Sequence, residues 1–170
     1  MFFIFNRLKR QNTKDFTLKR IFWERSDGSI EARHYLFILS KRLQKKGLSK
    51  AVFKELYTEY QRMGVRYITT DANLDVGGYT WTKYGFNANG KNHALAAIRK
   101  CEDKEVKKEA TKFIEDYYKQ HGLKEWEPFP MHLLATQPYG KKALLGGAWS
   151  GTLDLSDAKQ VAVFEKYIGV

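Results

Sequence analysis

Hydrophobic and polar positions first become legible at Leu18, where Leu-Lys-Arg-Ile-Phe-Trp-Glu-Arg25 is rich in the aromatic and branched side chains that favour a strand. Ser26-Asp27-Gly28-Ser29 follows, and an Asp-Gly pair between two such runs predicts a hairpin turn. Residues 30–39 alternate and then close on a continuous apolar run, Tyr35-Leu-Phe-Ile-Leu39, as a strand does when it enters a sheet. After a polar loop, Ser49 is placed to cap a helix running to about Met63. Val52, Leu56 and Tyr60 recur there at i, i+4 and i+8 with Phe53 and Tyr57 beside them, and Gly64 stands where a helix ends. Val65 to Thr70 is the next strand, so the order is strand, helix, strand. That order predicts a right-handed crossover between parallel strands. Residues 73–84 read as a short helix closed by Gly85.

The second half carries fewer signals. Residues 102–120 predict a charged helix with Val106, Ala110, Phe113, Ile114 and Tyr117 as its buried stripe, its Lys and Glu forming a solvated face. Residues 142–155 predict two short strands around Gly146-Gly147, and 157–167 a last helix with Val161, Phe164 and Tyr167 on one side. Pro128, Pro130 and Pro138 mark 126–140 as the one change of character, and no repeat or low-complexity segment interrupts the chain. The expectation is one mixed α/β domain over 1–170, a central mixed sheet flanked by helices.

Composition narrows the class. A single cysteine, Cys101, removes the disulfide-rich secreted folds and any cysteine-based zinc cluster. His34, His93, His121 and His132 have no metal-ligand spacing, so no metal is expected. No apolar run approaches the ~20 residues that span a bilayer. Met-Phe-Phe-Ile-Phe5 has its charges after the apolar stretch, unlike a secretory signal. A soluble cytoplasmic protein is expected. Charge is uneven: residues 1–85 hold 17 Lys and Arg against 8 Asp and Glu, residues 86–170 hold 13 against 11. The basic first half admits an anionic ligand, a nucleic acid or an acidic protein surface.

Candidate chemistry concentrates in Leu43-Gln-Lys-Lys-Gly-Leu-Ser-Lys-Ala51, a basic loop that opens a helix. Unpaired N–H groups and the helix dipole favour phosphate there, Gly47 lets the backbone come close, and Lys45, Lys46 and Lys50 add charge. It is neither a P-loop nor a dinucleotide fingerprint, both of which need more glycines. Gln44-x-x-Gly47-x-Ser49 resembles the Q/R-x-x-G-x-G/A signature of the GNAT family of N-acetyltransferases. The order of elements after it is similar too: a helix, Gly64, a strand, Asn73, a short helix, and Lys83-Tyr84-Gly85-Phe86 in place of the family's Y-x-K-x-G-F ending. The resemblance covers residues 18–86, with 87–170 as an extension.

That resemblance implies a GNAT-like sheet and acetyl-CoA-dependent transfer to an amine of a protein or small molecule. It implies a cofactor site of Leu39, Gln44, Lys45, Lys46, Gly47, Leu48, Ser49, Lys50 and Asn73. Trp81 stands where the family carries a tyrosine acid and has no proton of useful acidity, so Tyr79 is the nearest candidate. Core packing is the expectation for Trp81. Glu31, on the strand before the signature, is the candidate base; its alternative is an exposed strand charge paired with Arg33 or Arg25. Glu31 and Arg33 point to one face of that strand and His34 to the other unless a bulge intervenes. The rival function is a non-enzymatic GNAT-like basic protein of phage or mobile-element type, binding nucleic acid or an acidic partner in an inhibitory or structural role.

Overall fold

The computed structural model describes residues 16–44, 46–72 and 77–170. In chain order the elements are β1 (Phe16–Glu24), β2 (Ile30–Leu39), α1 (Leu48–Arg62), β3 (Val65–Ala72), α2 (Gly77–Lys83), β4 (Asn87–Ala88) and α3 (Lys91–Ala97). They continue with α4 (Lys104–Gln120), β5 (Phe129–Pro130), α5 (Met131–Ala135), α6 (Gly140–Leu144), β6 (Trp149–Asp154) and α7 (Ala158–Ile168). The fold is mixed α/β: six strands in the order β1-β2-β3-β6-β4-β5, with β2 and β3 parallel and the β1–β2, β4–β5 and β4–β6 pairs antiparallel. The chain forms two compact units, one built from residues up to 70 together with 154–170, the other from 71–153.

In the first unit, the Arg25 carbonyl accepts from the Gly28 N–H at 3.0 Å, and the Asp27 carboxylate accepts from the Ser29 N–H and hydroxyl. This closes the predicted hairpin. Its ladder slips once: Lys19 faces Leu36 while Arg20 faces His34, so Tyr35 is an extra residue, a β-bulge. α1 lies on the parallel β2–α1–β3 crossover and buries Phe53, Tyr57 and Tyr60. All three belong to the expected wide face, whose Val52 and Leu56 are half-buried. Three aromatics fill the volume better than the aliphatic pair. α7 closes this core. Asp157 caps it by accepting from the Lys159 and Gln160 N–H groups, and Phe164 meets the edges of Phe53 and Tyr57. Tyr57 donates to Glu165 at 2.8 Å, and burial pushes the Tyr57 phenol up to about 12.

In the second unit, Asp103 caps α4 through the Glu105 and Val106 N–H groups. α4 buries Ala110, Ile114 and Tyr118; Tyr117, expected in that stripe, is half-buried. The reason is a bond available to only one of the two: Tyr118 donates to the Glu127 carbonyl at 2.6 Å while its ring stacks on Phe129. Residues 142–155 correct the expectation of two strands, since the first half lies at the end of α6 and only β6 is a strand. Gly147 explains the error. A Cβ there would collide with the Ala97 and Leu144 carbonyls, so this glycine marks a close backbone approach and no strand. Trp149 donates its ring N–H to the Gly78 carbonyl at 2.9 Å. Trp81, expected in the core, is half-buried and packs against the buried Tyr84 and Phe86.

Candidate functional site

β2 and β3 pair from Ile30↔Val65 to His34↔Thr70, with one slip between Ile30 and Glu31 that skips Arg66, and there the pairing ends. β2 continues through residues 35–39, held by β1 along one edge, from Lys19↔Leu36 to Phe16↔Leu39. Its other edge has no β3 partner among the described residues. The bulge at Tyr35 sits where the strands part, and a bulge bends the strand that carries it. Tyr35 is 59% and Ile38 45% exposed, so this stretch of β2 shows apolar side chains to solvent.

The edge leads into the loop at 40–47. The Ser40 carbonyl accepts from the Leu43 and Gln44 N–H groups, and Gln44 folds back to donate Nε2 to the Leu39 carbonyl at 2.8 Å. Gln44 and Leu39 therefore lock the turn together. Gly47 opens α1 in the left-handed region, φ 75°, with nothing within 4 Å of where a Cβ would stand. The first turn of α1 carries no acidic residue, and Lys46 is exposed beside it. Ser49 does not cap the helix: Gly47 is the cap, without a side-chain bond, and Leu48 is the first helical residue. The left-handed glycine lets the chain enter the helix two residues early. Lys50 turns its ammonium over the Tyr167 ring, 4.4 Å from the centroid. Lys45 and Asn73 lie outside the described residues.

Glu31 is buried, and both of its oxygens are engaged. Arg25 donates through Nε and Nη2, each at 2.7 Å, and the Thr69 hydroxyl donates at 2.5 Å. Of the two ion-pair partners left open by the sequence, this pairing is with Arg25. Tyr79 belongs to the second unit, in α2, with the Lys83 ammonium over its ring. Glu31 belongs to the first unit, together with the loop.

A polar cluster that no motif announced lies behind the bulge, on the α1 side of β2. Arg20 donates Nε to the Tyr60 hydroxyl at 3.2 Å, and Tyr60 is 2.8 Å from His34 Nε2. An arginine only donates, so the Tyr60 oxygen accepts from it, and a second hydrogen bond joins that oxygen to His34 Nε2. Burial, with the Arg20 cation second, holds the His34 pKa well below its ordinary value; burial also raises Tyr60 and lowers Arg20. The only trace in the sequence is an arginine inside a strand and a tyrosine at the end of a buried stripe. The bulge that brings Arg20 opposite His34 has no sequence signature of its own.

A depressed histidine makes stability depend on pH with a definite sign. Below about pH 6.5 the unfolded chain takes up a proton that folded His34 refuses, so stability falls as pH drops from there toward the folded value. The urea midpoint of the wild type should therefore decline between pH 7 and 5 more steeply than that of His34→Gln, which keeps an acceptor for Tyr60. Equal slopes would mean that His34 titrates as it does in the unfolded chain.

Among the described residues, no group of three or more His, Cys, Asp or Glu could hold a metal ion, and no helix is long and apolar enough to cross a membrane. Comparison with family models, with curated proteins and with solved structures gives no match to this chain.

Proposed function

We propose that the chain is an acetyl-CoA-dependent N-acyltransferase acting on an amine. The observation that carries this reading is the parting of β2 from β3 directly ahead of a helix opened by a left-handed glycine. A cofactor with an extended, amide-bearing arm and a pyrophosphate at its far end matches both halves of that arrangement. A free strand edge offers N–H and C=O groups to such amides, and a helix N-terminus without acidic residues offers donors and dipole to phosphate. Residues 35–39 give the arm about 16 Å of strand at ~3.3 Å per residue. The thioester would then lie at the bulge end, away from the phosphates. The amine nitrogen attacks the thioester carbonyl, the C–S bond breaks, the thiol leaves, and the amine gives up one proton. Holding the two reactants together supplies most of the acceleration in this reading.

A thermal melt tests it. Acetyl-CoA at a hundredfold excess over its Kd should stabilise the protein by about 2.7 kcal/mol, as any ligand of the folded state does. An unmoved melting temperature in millimolar acetyl-CoA would overturn the proposal.

A further inference from the structure

We infer that Arg20 is a positioning residue for this edge: gripped by Tyr60, which His34 holds in turn, its guanidinium staples the bulge at Tyr35 that turns β2 away from β3. The functional consequence rests on the acyltransferase reading; the structural one rests on the first unit alone.

A bulge interrupts the ladder and leaves carbonyls to be satisfied by something other than the facing strand. Arg20 adds side-chain bonds to the backbone on both strands beside the bulge. Its Nη1 donates to the Lys19 carbonyl at 3.1 Å and to the Leu36 carbonyl at 3.3 Å, and Lys19↔Leu36 is the pair in register immediately beyond the slip. The planar fork fixes the direction of these bonds, and Nε is spent at the same time on the Tyr60 hydroxyl. The group cannot turn away from the bulge without also releasing Tyr60. The Phe53 ring backs it, 5.8 Å from the guanidinium carbon.

The choice of residue is informative. No carboxylate bonds Arg20 among the described residues, and a half-buried cation gains little stability that an apolar side chain filling the volume would not. What the cation does that an apolar residue cannot is hold two carbonyls and a hydroxyl in one plane. Tyr60 stands in α1, the helix whose first turn receives the phosphates in the proposed reading. Tyr60 lies in the last turn of α1, so the staple holds the bulge end of the site, at the opposite end of the helix from Gly47.

Amide exchange on the full chain tests this without any ligand. Tyr60→Phe keeps the ring and deletes the hydroxyl, Arg20→Met keeps the length and deletes the fork, and Arg20→Lys keeps the charge alone. In all three, the amides of residues 35–39 should exchange at least tenfold faster, while those of residues 30–33 and of α7 keep their wild-type rates. His34→Gln, which preserves an acceptor for Tyr60, should stay near wild type. Unchanged exchange at 35–39, or acceleration spread evenly over the chain, would overturn the staple. Titration with acetyl-CoA is the second arm, and Tyr60→Phe and Arg20→Lys should weaken its binding at least tenfold. Wild-type affinity in variants whose edge has loosened would overturn the positioning role. No binding by the wild type itself would remove the acyltransferase reading and leave the staple to the exchange data.

Discussion

Gly47→Asp should lose acetyl-CoA binding by at least a hundredfold, about 2.7 kcal/mol, at a stability cost of about 1 kcal/mol. Two effects add. The position is left-handed, where any side chain strains the backbone by roughly 1 kcal/mol. A carboxylate there also meets phosphate at close range, where like charges repel and the helix dipole is already neutralised. Gly47→Ala separates the two. With nothing within 4 Å of its Cβ, alanine brings strain without collision or charge, so it should weaken binding only severalfold. Lys46→Gln, which removes one exposed cation, should fall nearer alanine than aspartate. Calorimetric titration of the four proteins at one ionic strength gives the series. If aspartate binds as well as alanine, no anion approaches Gly47, and the phosphate end of the proposal is wrong.

How much of the fold and site is legible in the sequence depends on the kind of signal. The hairpin at Asp27-Gly28 and the β2–α1–β3 crossover are readable because turn chemistry and apolar periodicity are local, and both stand where expected. The wide face of α1 is readable as well, although which of its five residues go deepest, Phe53, Tyr57 and Tyr60, is decided by packing. In the second half, Gly146-Gly147 reads as a turn between strands. In the structure Gly147 is a contact with the Ala97 carbonyl, fifty residues away in the chain, and no window of sequence reports such a contact. The same limit applies at the site. Gln44, Gly47 and the helix behind them are contiguous and can be read together; Arg20, His34 and Tyr60 are joined only by a register slip. Whether Glu31 pairs with Arg25 or Arg33 is likewise a choice between neighbours that only the hairpin's geometry makes.

The core beneath that cluster should be the costliest place in the first unit to damage. Phe53 is 1% exposed, with His34 at 5.2 Å, Phe37 at 5.6 Å and Phe164 at 6.5 Å between ring centroids, and Arg20 over its face. From α1 it thus touches β1, β2 and α7 together. Phe53→Ala removes a whole ring from among partners that cannot all move in: His34 and Arg20 are held by Tyr60, and Phe164 by its helix. The cavity stays open, and the cost should be about 3–5 kcal/mol, a large part of the roughly 5–15 kcal/mol that usually separates folded from unfolded. Phe53→Leu keeps most of the volume and should cost less than half as much. Urea denaturation followed by tryptophan fluorescence measures both. A loss below about 1 kcal/mol for alanine would mean that the aromatic cluster closes over the gap. The polar trio would then have to shift with it, and the exchange rates at residues 35–39 would rise in Phe53→Ala as expected for Tyr60→Phe.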